Sequence, residues 1–120
     1  MRYSILLEDA EGVSYFEDRD VDQDLKTFAP PAAPFYASGE YDAAGFVFLT
    51  LPAGWKGVPH RSPKRQLATV LSGTFRVQAG SGEIRDFTVG DLFWAEDTNG
   101  TGHASSAEGD EPVNLMVTQF

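Results

Sequence analysis

The sequence predicts an all-β fold, an antiparallel barrel or jelly roll, and three observations carry that prediction. Apolar residues recur with period two along most of the chain, the runs that carry them are short, and turn residues divide them at regular intervals. A period of 3.6 is almost nowhere found, so an α/β arrangement is set aside.

In chain order, Tyr3, Ile5 and Leu7 alternate and mark a first strand, and Gly12 turns the chain into a second at Val13 and Tyr15. Phe46, Phe48 and Thr50 alternate with Val47, Leu49 and Leu51 in another. Residues 67–71, 74–78, 83–87, 91–95 and 113–118 supply the remaining runs. Ser72-Gly73, the Gly80-Ser81-Gly82 cluster and Val89-Gly90 separate them, as turn chemistry requires. Residues 17–45 are the exception. Glu17, Asp18, Asp20, Asp22 and Asp24 crowd their start, and Pro30, Pro31 and Pro34 exclude both a helix and a central strand. An irregular, proline-rich N-terminal arm is expected here, wrapping the barrel or a partner subunit and anchored by Phe28, Phe35 and Tyr36.

A chain of 120 residues reads as one domain, with N-terminal strands and arm over 1–44 and the barrel core over 45–120. At 42% hydrophobic residues the composition is that of a packed protein and not of a disordered one. Cysteine is absent, which removes disulfides, thiolate ligands and a cysteine nucleophile together. The net charge of −9 and a pI near 4.4 oppose nucleic-acid phosphates and anionic lipid, so neither is expected as a partner. No apolar run reaches membrane-spanning length and the N-terminus does not resemble a signal peptide, so a cytoplasmic protein is expected.

Only two histidines are present, His60 and His103, and each follows a turn rich in glycine or proline. Each is therefore expected near a strand end, facing the mouth of the barrel. Gly54 precedes His60 by five intervening residues; Ser62, Gln66 and Gly73 follow. Gly90 opens a second stretch, GDLFWAEDTNGTGH, that ends on His103. Together these stretches resemble the two motifs of the cupin family, over roughly residues 45–117. In that family the first motif carries a His-x-His pair, then a glutamate and a closing glycine, and the second carries a further histidine. By this resemblance His60 and His103 fall on ligand positions, Ser62 stands where a second histidine would be, and Gln66 replaces the glutamate. Glu96-Asp97-Thr98 replaces the Pro-x-Gly turn of the second motif.

The resemblance implies a small-molecule enzyme, an oxygenase or an isomerase or lyase, with a divalent metal (iron, manganese, nickel, copper or zinc) at His60, Gln66 and His103. Two imidazoles and one amide oxygen make an undercharged site, so a metal-free pocket stays open beside it. There His60 and His103 would act as general acid and base, as in an isomerase or cyclase. A non-catalytic metabolite-binding protein is the third reading. Trp55, Phe75 and Trp94, with Phe93 beside them, are candidate pocket walls, although strand alternation lets only some face inward. Arg65, within a basic cluster with Arg61 and Lys64, can hold a substrate carboxylate or stand as a solvated rim. Ser62 is placed in the substrate pocket, since two residues of one strand do not make a nucleophilic triad with His60. Glu96 or Asp97 can supply a missing acidic ligand, or can cap the turn at Thr98-Asn99-Gly100. Small cupins are often homodimers, completed by edge strands or N-terminal arms, and the segment before Gly45 is the expected contact.

Overall fold

The computed structural model describes all residues, 1–120, and contains eleven strands and no helix. These are β1 (Arg2–Glu8), β2 (Ser14–Asp20), β3 (Asp24–Lys26), β4 (Phe35–Ala37), β5 (Gly45–Leu51) and β6 (Gln66–Ser72), followed by β7 (Thr74–Gln78), β8 (Ile84–Phe87), β9 (Leu92–Ala95), β10 (Ala104–Glu108) and β11 (Val113–Gln119). With no helix, none is long and apolar enough to cross a membrane.

Two sheets face each other. The larger runs β2-β1-β9-β6-β11-β5 and the smaller β10-β7-β8. β1 and β9 run parallel, so the large sheet is mixed where the sequence pattern predicts antiparallel pairing throughout. The alternation read from sequence becomes burial in space: along β11, Val113, Leu115 and Val117 are buried while their neighbours are half-exposed. Leu6, Phe16, Val70, Phe75, Val77, Phe87 and Phe93 join them in one continuous core between the sheets. Each fully buried aliphatic side chain contributes roughly 1.5–3 kcal/mol.

The sheets remain separate ladders and do not close into a hydrogen-bonded barrel, contrary to expectation. After β5 the chain crosses to the small sheet, where Gly57 N–H donates to Ser105 O at 2.8 Å and Ala107 N–H to Trp55 O at 2.8 Å. Pro52, Pro59 and Pro63 interrupt this stretch, and a residue without an N–H cannot extend a ladder. On the opposite flank Ser81 N–H donates to Ser14 O at 2.9 Å, and Arg85 reaches both Ser4 and Asp18.

The expected irregular arm is instead a small hairpin. β3 pairs only with β4, in register Leu25↔Tyr36, and the prolines sit between or just before the two strands. Because neither three-residue strand contains proline, the exclusion of a central strand did not exclude this pair. Phe28 and Phe35 pack on each other, ring centroids 5.5 Å apart, and with Tyr36 they stay exposed. They do not anchor the segment to the two sheets. The radius of gyration, 15.6 Å, exceeds the roughly 14 Å of a compact chain this long, as a hairpin standing off from the body requires.

Candidate active site between the two sheets

His60 and His103 face each other across a local antiparallel bridge. His60 N–H donates to His103 O at 2.9 Å, and His103 N–H returns to His60 O at 3.0 Å. This approach depends on Gly102, at φ +82°, where a Cβ would stand 2.1 Å from the His60 carbonyl. No side chain fits there. The bridge sets the two imidazoles side by side, ring centroids 5.3 Å apart, with Phe93 edge-on to His103.

Both rings are tied by the same nitrogen. His60 Nδ1 lies 2.9 Å from the Val58 carbonyl, which can only accept, so Nδ1 carries the proton and Nε2 is left bare. His103 Nδ1 lies 2.5 Å from Asp97 Oδ2. Asp97 is wholly buried and His103 is 6% exposed. Ser62 Oγ–H donates to the other Asp97 oxygen at 2.7 Å, and Ser62 N–H to the Asp97 carbonyl at 3.0 Å. A buried carboxylate is tolerated only when paired and hydrogen-bonded, and both oxygens of Asp97 are. No buried side-chain nitrogen or oxygen in the chain lacks a partner, so the unpartnered Nε2 of His103 opens on accessible space.

That space is a mainly apolar cavity of about 260 Å³ between the sheets, lined by Trp55, Gln66, Phe75 and Phe93 as well as both histidines. At ~30 Å³ per water it holds a small organic molecule in place of roughly nine waters.

The structure therefore brings together His60, His103, Gln66, Trp55 and Phe75 of the residues singled out from sequence. Ser62 stands behind the cavity wall as a partner of Asp97 and does not line it. Arg65 and Trp94 lie on the far side of the sheet. Gln66 and Ala68 face inward, which turns Arg65 outward; Phe93 and Ala95 face inward, which turns Trp94 outward. Arg65 binds Glu96 through two nitrogens at 2.6 and 2.9 Å, and that hydrogen bond raises the guanidinium above its ordinary value. Trp94 stacks on Phe120 with centroids 4.8 Å apart and donates its indole N–H to Glu96. Arg61 and Lys64 stand exposed. Asp97 neither lines the cavity nor caps the following turn. Asn99 N–H is instead taken by Glu8 of β1 at 2.9 Å. Phe93 could be found from parity with Ala95, but the role of Asp97 has no signal in sequence.

The donors in the cavity are two imidazole Nε2 atoms and one amide oxygen, all neutral. No group of three or more His, Cys, Asp or Glu side chains is placed so that it could hold a metal ion. This set does not fit the charged, three-histidine and one-glutamate centre of the family.

Residues 47–118 match the model of the Cupin domain family, more than half of the chain. Among solved structures, the chain is similar to a Cupin 2 conserved barrel domain protein from Salinispora arenicola, at 14% identity and TM-score 0.54, covering 82% of this chain and 73% of that one. It is similar to the CENP-C domain of Drosophila melanogaster at 17% identity and TM-score 0.52, covering 98% and 72%. AerE from Microcystis aeruginosa is similar at 13% identity and TM-score 0.50, covering 86% of this chain and 47% of that one. At these identities the likeness is one of fold. No curated protein matches the sequence.

Proposed function

Because this chain belongs to the Cupin domain family, whose fold hosts many chemistries, we propose a function from the site alone: proton transfer on a small, mainly apolar carbonyl compound held between the sheets. The observation that carries this reading is the buried Asp97–His103 pair behind an open Nε2. A histidine backed by a carboxylate is fixed in one tautomer, and the carboxylate stabilises the imidazolium that forms when Nε2 takes a proton. His103 Nε2 removes a proton beside the carbonyl. The same Nε2–H returns it at a second position, while the bare Nε2 of His60 accepts a hydrogen bond from the ligand and the Gln66 amide N–H₂ donates to the carbonyl oxygen. One proton is taken and one given, so the reaction is an isomerisation or cyclisation without net redox change. Trp55, Phe75 and Phe93 supply the apolar walls that hold the ligand and exclude water.

The test is a thermal-shift screen of small cyclic and aromatic carbonyl compounds in buffer containing EDTA, with NMR detection of turnover on the compounds that bind. Binding and turnover that persist with the chelator and vanish in His103→Ala are expected. Activity that needs an added divalent ion would replace this mechanism with the metal-dependent one. Binding without turnover would reduce the protein to a metabolite-binding module.

A further inference from the structure

Strand alternation turns Leu67, Leu92 and Trp94 away from the histidine cavity and onto the outer face of the large sheet. An outer sheet face is ordinarily polar, yet this one carries a second apolar cavity of about 260 Å³. Its walls gather around Trp94: the ring centroids of Tyr3, Tyr41 and Phe120 lie 5.9, 5.7 and 4.8 Å from that of Trp94. The rings are held in place. Trp94 is 8% exposed and donates its indole N–H to Glu96 at 2.8 Å. The segment that brings Tyr41 over the sheet is tied down by Ala44 N–H, which donates to Gln119 O at 2.8 Å. No charged side chain lines the cavity, but the neighbours of two lining residues are acidic: Asp20 and Asp22 flank Val21, and Glu40 and Asp42 flank Tyr41. All four are exposed, and of them only Asp20 is paired, with Arg2.

We propose that this outer cavity binds an organic ammonium cation whose nitrogen carries methyl groups, independently of the chemistry between the sheets. Aromatic ring faces carry negative potential and attract a cation placed over them. An N-methylated head suits both features of the cavity: its methyl groups fill the apolar walls, and its diffuse charge meets the ring faces. A metal ion or a primary ammonium would give up water here with no charged wall to replace it. The unpaired acids Asp22, Glu40 and Asp42 and the net charge of −9 gather cations at the entrance and repel carboxylates and phosphates. A neutral apolar molecule gains the walls and forgoes the charge. One sheet separates the two cavities: Leu67 lies between Gln66 and Ala68, and Trp94 between Phe93 and Ala95. Each cavity therefore has its own tryptophan, Trp55 inside and Trp94 outside.

The indole N–H signals of the chain's two tryptophans report the two cavities separately in a proton–nitrogen correlation spectrum, and Trp55→Phe tells them apart. The probes are choline and the neutral alcohol in which carbon replaces its nitrogen, alike in shape and different in charge, each titrated to tens of millimolar. Choline is expected to move the Trp94 signal, to leave that of Trp55 in place, and to bind about tenfold tighter than the alcohol. Tyr41, 55% exposed, can be replaced without opening the core. Tyr41→Ala is expected to weaken choline about tenfold and Tyr41→Phe to keep it, since the ring and not the hydroxyl holds the cation. Equal binding of the two probes would make the cavity merely apolar and overturn the proposal. A choline shift confined to Trp55 would place the cation in the histidine cavity, and with no shift at either indole the outer site would fall as well. The comparison of the two probes needs no variant, so it decides even if Tyr41→Ala does not fold.

Discussion

Asp97 contributes to stability and to the site through the same two hydrogen bonds. Replacing it with alanine leaves the Ser62 hydroxyl and the His103 Nδ1–H buried without an acceptor. Leaving two buried donors unsatisfied costs about 1–3 kcal/mol each, against about 1 kcal/mol for losing the hydroxyl alone. Urea unfolding at neutral pH should therefore rank Asp97→Ala well below Ser62→Ala, and both below the parent. Equal effects of the two would mean that His103 is not held by the carboxylate. His60 and His103 stand out in the sequence because they are the only two histidines. Asp97 does not, because its partners lie 35 and six residues away and meet it only when the two loops close over Gly102.

Strands were legible where their inward residues are large. β10 was missed because its inward positions are Ser105 and Ala107, which carry no apolar pattern although they face the core and the cavity. The β7–β8 hairpin shows how an exposed element is held. Arg76 and Asp86 sit directly opposite across the ladder, joined at 2.7 and 3.0 Å. The hydrogen bond from Arg76 holds the Asp86 carboxyl below its ordinary value. A carboxyl lowered in the folded state stabilises the fold at pH above its unfolded value, near 4, and loses that effect as pH falls through the lower folded value. Both side chains are about 40% exposed, so the effect is small. Arg76→Ala should lower the urea midpoint slightly at pH 7, and the gap to the parent should close as pH falls from about 4 toward 2. A gap that stays constant over that range would assign the loss to packing of the arginine stem.

At the scale of the whole molecule, charge and apolar surface oppose each other. A chain of net charge −9 repels its own copies, while β5 leaves Phe46 and Phe48 exposed. Salt screens exposed charges within about 10 Å at 0.1 M and leaves an apolar contact intact. Any self-association through this apolar face should therefore strengthen as sodium chloride rises from about 20 to about 300 mM, read as a falling dissociation constant by sedimentation. Weakening with salt would point to an interface of ion pairs elsewhere on the surface.

By itself the sequence determined the all-β class and most of the strands, which follow from local rules of period-two alternation and turn residues, while the resemblance to two family motifs named His60, Gln66 and His103 as one candidate site. Only the tertiary structure decided that Phe93 and not Trp94 faces the cavity, that Arg65 is occupied by Glu96, and that Asp97 stands behind His103. It also decided that the proline-rich segment is a hairpin standing away from the two sheets. The reason is common to all of these. Each is set by which residues from distant parts of the chain come within hydrogen-bond or packing distance, and a pattern read along one strand carries no information about its partners across space.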